Sequence, residues 1–173
     1  MNAREKLLLI WAAVATILLI VVGVILLRMM PPLLVNQYSL GSVDNFPIGS
    51  TTLLECDRTI ARCVARETPS LDELVSFNSE HSIEVGDQVR VWLTHDSAAE
   101  WHAFIAASPH RGCFVSWLPD RNRFEEGCYG AKWFRNGDYL EGPSPRGLDS
   151  FPVLVSDGQV LLKFTIIRGK PHD

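Results

Sequence analysis

From Leu7 to Leu27 the chain runs through twenty-one residues without a charge, with Thr16 as the one clearly polar side chain. At about 1.5 Å per residue a helix of this length reaches roughly 31 Å, the thickness of a bilayer's hydrocarbon core. A cleaved secretory signal has a shorter apolar region and ends at a small-residue cleavage site. The run ends instead in Leu26-Leu-Arg-Met-Met-Pro-Pro32. The pattern predicts an uncleaved transmembrane helix, stopped at Pro31-Pro32 because proline has no N–H and clashes with the preceding turn. Residues 1–30 read as an anchor, 31–44 as a linker with Gly41, Ser42 and Asp44 close together, and 45–173 as a folded domain.

Beyond the linker the period shortens to two. Thr51–Glu55, Val89–Leu93, Trp101–Ile105 and Val160–Ile167 are β-branched or aromatic runs bounded by turn residues such as Gly86-Asp87, Asp96-Ser97, Asp157-Gly158 and Gly169. In Trp101–Ile105, alternation puts Trp101, Ala103 and Ile105 on one face and His102 with Phe104 on the other. A helical turn is expected at Ser70–Val75, where Ser70 and Glu73 have capping-box spacing. Several short strands at regular spacing predict a mainly β fold, an antiparallel sandwich or barrel.

Charge changes the picture little. Arg4 and Lys6 precede the apolar run and Arg28 follows it, which favours a cytoplasmic N-terminus and an extracytoplasmic domain. Setting aside these three and Glu5 leaves 13 basic and 19 acidic residues, a net charge of −6 for the remainder. No basic patch suggests nucleic acid, and a mildly acidic surface is compatible with basic partners such as some cytochromes. All four cysteines (Cys56, Cys63, Cys113, Cys128) lie beyond the apolar run, and an even number in an exported domain favours disulfides. Spacing does not choose among the three pairings; Cys56 with Cys63 and Cys113 with Cys128 is the preferred one.

The densest motif information runs from Ser108 to Val153. It holds Ser108-Pro-His-Arg-Gly-Cys113, Glu126-Gly-Cys-Tyr-Gly130 and Gly142-Pro-Ser-Pro-Arg-Gly-Leu148, followed by Phe151-Pro-Val153. These boxes resemble the cluster-binding region of the Rieske [2Fe–2S] domain family. In that family one loop reads Cys-x-His-x-Gly-Cys and the other Cys-x-Cys-His-Gly-Ser, two thiolates and two imidazoles hold the irons, and a proline loop packs beside them. His110, Gly112, Cys113, Cys128, Gly130, Trp133 and Gly137 match. Gly142, Pro143, Pro145 and Arg146 match the proline loop, which departs from the family at Gly147. Asn45–Ser50 resembles the family's opening strand. The resemblance covers about residues 43–168, poorly over 57–88.

The resemblance implies an antiparallel Rieske-type β-sandwich behind one N-terminal transmembrane helix. It implies a disulfide between Cys113 and Cys128 and a structural role for the Gly142–Leu148 loop. The ligand positions read differently. Ser108 and Glu126 stand where the family has thiolates, and Tyr129 stands where it has the second histidine, which leaves His110 as the one family ligand. Hard oxygen donors do not replace thiolates at such a centre. We therefore expect no cofactor and no metal at the vestigial positions Ser108, His110, Glu126 and Tyr129, and expect the Tyr129 ring to fill the space.

No catalytic residue is expected. His95-Asp96-Ser97 with Glu100 and His102 has the residue types of a hydrolase triad, but no nucleophile elbow accompanies them, and a solvated turn is the expectation. Trp117 is open between core burial and an exposed docking patch. The functional expectation is a non-catalytic, cluster-free accessory subunit of a membrane electron-transfer complex that oxidises quinols, in contact with the bilayer and with other subunits, a cytochrome among them. The alternatives are a redox-active [2Fe–2S] protein with non-standard ligands, and a free-standing membrane-anchored binding module.

Overall fold

The computed structural model describes Asn2, Arg4, Trp11 and residues 16–22, 37–67 and 88–172. Residues 1–35 and 36–173 are separate compact units. In the first, residues 16–22 are helical with exposed apolar side chains. Among the described residues no helix is long and apolar enough to cross a membrane; most of Leu7–Leu27, and the turn expected at Ser70–Val75, lie outside them.

The strand pairings described in the second unit are all antiparallel. β1 (Gln37–Ser42) opens it, followed by the β2 (Thr51–Asp57) and β3 (Arg62–Arg66) hairpin. β4 (Gln88–Ser97) and β5 (Glu100–Ile105) form the longest hairpin. Four short strands then make a meander: β6 (Val115–Leu118), β7 (Arg123–Glu126), β8 (Lys132–Phe134) and β9 (Tyr139–Glu141). β10 (Ser150–Phe151), β11 (Val153–Ser156) and β12 (Gln159–Lys163) close the domain. The strands assemble into three sheets, β1-β12-β11, β10-β5-β4-β2-β3 and β6-β7-β8-β9.

Alternation along the central strands explains the layering. Val91, Leu93, Ala103, Ile105, Leu54 and Cys56 point into one core with Val160 and Leu162 of β12. Trp92, Phe104 and Leu53, one residue out of step, point into a second core with Val115, Trp117, Phe124 and Trp133 of the meander. The central sheet is thus apolar on both faces and is covered on each by another sheet. Trp92, with no accessible surface, donates its indole N–H to the Val115 carbonyl at 2.7 Å and ties the second pair of layers.

Two boundaries differ from the sequence reading. β1 and the 3-10 turn Val43–Asn45 occupy most of the expected linker. β1 pairs with β12, and Tyr38 is buried with its ring tilted against that of Phe164 at 4.2 Å. Pairing with a strand more than a hundred residues away is invisible to local turn chemistry. The strand expected at Val160–Ile167 stops at Lys163, after which Ile167 makes an isolated bridge to Ser150.

The two loops and the proline loop

Each loop is closed on itself by its backbone. In the first, Ser108 N–H donates to the Cys113 carbonyl at 2.8 Å and Gly112 N–H to the Ser108 carbonyl at 2.9 Å. Ser108 Oγ accepts the His110 N–H at 3.1 Å, a local turn typical of serine. In the second, Glu126 N–H donates to the Ala131 carbonyl at 2.8 Å and Gly130 N–H to the Glu126 carbonyl at 3.2 Å. A disulfide joins Cys113 to Cys128, with Cα atoms 6.3 Å apart. The other joins Cys56 to Cys63 at directly opposed positions of the β2–β3 hairpin.

The four ligand-equivalent side chains do not share one environment. Ser108 and Glu126 are buried, at 4% and 2% exposure, whereas Tyr129 is 55% exposed. Tyr129 therefore does not fill the interior as expected. Its ring meets that of His110 edge to face at 5.3 Å, over the outside of the loops. Both Glu126 carboxylate oxygens and His110 Nδ1 are sealed from solvent without a hydrogen-bond partner among the described residues.

The Gly142–Leu148 loop is fastened from several sides. Ser144 is buried and its hydroxyl donates to the Arg146 carbonyl, which also accepts the Trp133 indole N–H at 3.0 Å. Arg146 clamps Asp149 through Nε and Nη2 at 2.9 and 2.8 Å, and Gly169 N–H donates to the same carboxylate. Burial pushes the Asp149 carboxyl up, but the hydrogen bonds from Arg146 and Gly169 outweigh it and hold the group below its ordinary 3.8. Gly147, the one departure from the proline loop, donates its N–H to the Lys170 carbonyl at 2.9 Å, a bond that proline could not make. His172, unassigned from sequence, stacks on Tyr139 at 3.7 Å and binds the Ser144 carbonyl through Nε2.

Of two further clusters, the one around Arg135 escaped sequence reasoning, whereas the one at Asp96, Glu100 and His102 was read as a solvated turn. Arg135 pairs with Asp96, donates to the Ser50 carbonyl at 2.7 Å and lies 5.0 Å above Trp117, joining the meander to the central sheet. Trp117 is accordingly core, not an exposed patch. His102 Nε2 lies 3.5 Å from Asp96 and 3.4 Å from Glu100, brought together by the bulged β4–β5 hairpin. Ser97 is exposed, and among the described residues the group consists of Asp96, Glu100 and His102.

No family model matches the chain. Among curated proteins it is 33% identical over 63 residues to the chloroplastic cytochrome b6-f complex iron-sulfur subunit of Chlamydomonas reinhardtii, covering 36% of this chain and 31% of that protein. It is 30% identical over 77 residues to the cytochrome b6-f complex iron-sulfur subunit of Synechococcus elongatus, covering 44% and 43%. The domain is Rieske-like. The chain matches less than half the length of these curated relatives. Among solved structures it aligns with the plasma membrane Rieske protein PetC3 of Synechocystis PCC 6803 at 28% identity and a TM-score of 0.40, over 43% of this chain and 76% of that one.

These relatives correct one expectation. The residues alone suggested a chain without any cofactor, yet the proteins it matches are iron-sulfur subunits by name. The side chains at the four ligand-equivalent positions are Ser108, His110, Glu126 and Tyr129. Both loop cysteines are consumed in the disulfide, and no cysteine among the described residues is free. One imidazole, one carboxylate and two hydroxyls do not reproduce two thiolates and two imidazoles.

Proposed function

We propose that this chain is a Rieske-like subunit of a membrane electron-transfer complex of the quinol-oxidising kind, anchored by its apolar N-terminal segment with the β domain outside the cytoplasm. It contributes anchoring and assembly contacts to neighbouring subunits, a cytochrome among them, and no catalytic residue of its own. The observation that carries this reading is the identity to cytochrome b6-f iron-sulfur subunits, combined with a loop frame kept intact around changed donors. Leu7–Leu27 supplies the length and apolarity for a single span. The disulfides suit an oxidising compartment, and the Gly142–Leu148 loop acts as a structural brace.

The test is gentle detergent solubilisation of native membranes, followed by identification of the chains and haem that accompany the protein. Recovery with a cytochrome-containing complex supports the subunit reading. Recovery as a lone monomer, with no haem or quinone-linked partner, would replace it with a free-standing binding module. A second reading, an electron carrier with unorthodox ligands, is favoured by the relatives' names. Iron and acid-labile sulfide in stoichiometric amounts, with a paramagnetic signal on reduction, would establish it.

A further inference from the structure

Glu126 has the most demanding unmet chemistry in the described part of the domain. Its side chain is all but inaccessible at 2% exposure, and neither carboxylate oxygen has a hydrogen-bond partner among the described residues. A buried carboxylate is retained when it is paired with a cation or neutralised. Protonation alone does not solve the problem, because the resulting O–H would still lack an acceptor. Among the described residues the other sealed atoms without a hydrogen bond are hydroxyls of Thr51 and Thr94 and ring nitrogens of His95, His102 and His110, none of them a carboxylate oxygen.

His110 belongs to the same loop pair. Its Nδ1 is sealed and unpartnered, its ring rests against Tyr129 three residues past Glu126, and the Cys113–Cys128 disulfide fastens the two loops together. An imidazole nitrogen and a carboxylate on two stapled loops, neither with a hydrogen-bond partner among the described residues, are donors in search of a cation.

We propose that these loops bind one divalent first-row transition-metal ion through the Glu126 carboxylate and His110 Nδ1. The donor set selects the class. With both cysteines oxidised there is no thiolate for a soft ion or a cluster, and an imidazole donor favours zinc-like ions over magnesium or calcium. Glu126 is placed by its own backbone bonds to Ala131 and Gly130, and His110 by the Ser108 turn, so the donors are held by the loop frame that the disulfide closes. The site does not depend on which complex the chain belongs to, and it stands or falls separately from that assignment.

The test uses the full-length chain in detergent with Co²⁺ as the probe and Zn²⁺ as competitor. The expected result is one Co²⁺ per chain with ligand-field absorption, displaced by Zn²⁺. Glu126→Gln and His110→Gln should each weaken binding by roughly tenfold or more. Asp96→Asn, which alters the other carboxylate–imidazole cluster (Asp96, Glu100, His102), should leave it unchanged. Near-UV circular dichroism establishes that each variant is folded, and the half-buried His110 provides a second variant should Glu126→Gln misfold. Equal uptake by wild type and both loop variants overturns the proposal, as does loss confined to Asp96→Asn. Failure of the wild type to take up stoichiometric cobalt, or stoichiometric acid-labile sulfide in the purified protein, overturns it as well.

Discussion

Gly137 packs directly against the ring of Phe104. A Cβ built on it would stand 2.3 Å from Phe104 Cε1, and its φ of +80° is a conformation that L side chains resist. The glycine turns the β8–β9 connection while Phe104 fills the second core beneath it, so one position answers both a backbone and a packing demand. The left-handed conformation and the overlap each cost about 1–3 kcal/mol. Gly137→Ala should therefore lower unfolding stability by about 2–6 kcal/mol, as measured by denaturant titration. A midpoint unchanged from wild type would contradict this contact.

The Cys113–Cys128 bridge closes a loop of 15 residues, worth about 3 kcal/mol in the chain-entropy account. Cys113→Ala should show a loss of that order under oxidising conditions, and reductant should bring wild type and variant together. Ser108→Ala should cost about 1 kcal/mol, because its Oγ accepts the His110 N–H inside the same loop. If the two substitutions destabilised equally, the staple would not be the dominant constraint.

Asp149 makes stability depend on pH in a defined direction. Its folded carboxyl is held below the ordinary 3.8 by Arg146 and Gly169 against the effect of burial. A depressed folded value means that the stabilisation is fully present above the unfolded pKa and disappears as pH falls through the folded one. The stability difference between wild type and Asp149→Asn should stay constant at neutral and mildly acidic pH and shrink below about pH 4. A difference that grew on acidification would reverse the assignment.

Arg135 bridges two sheets, with Asp96 and the Ser50 carbonyl on one side and Trp117 on the other. The Arg135 and Asp96 side chains are only 18% and 19% accessible, so solvent screens the pair less than a surface ion pair. Arg135→Ala should cost about 1–2 kcal/mol. A double-mutant cycle with Asp96→Asn should return a coupling of about 1 kcal/mol; additivity would show that Arg135 acts through Trp117 alone.

Much of the frame was legible from residues. The alternation of Trp101–Ile105 assigned Ala103 and Ile105 to one face and Phe104 to the other, and the two cores receive them in that way. Boxes with specific glycines and prolines marked the loops, because turns and close approaches restrict residue choice locally. The β1 strand was read as linker, since its partner β12 lies far away in sequence. Tyr129 was expected inside and lies outside, because composition does not say which way a loop side chain turns.

The apolar period of the first thirty residues, the two-residue period beyond them and the donor chemistry at positions 108, 110, 126 and 129 are properties of the sequence, fixed by side-chain type and spacing. Tertiary structure alone decided that the central sheet is apolar on both faces, that Arg135 meets Asp96, and that Glu126 is sealed without a hydrogen-bond partner among the described residues. Burial and pairing are sums over residues distant in the chain. A carboxylate's cost is set by what surrounds it, not by its neighbours in sequence.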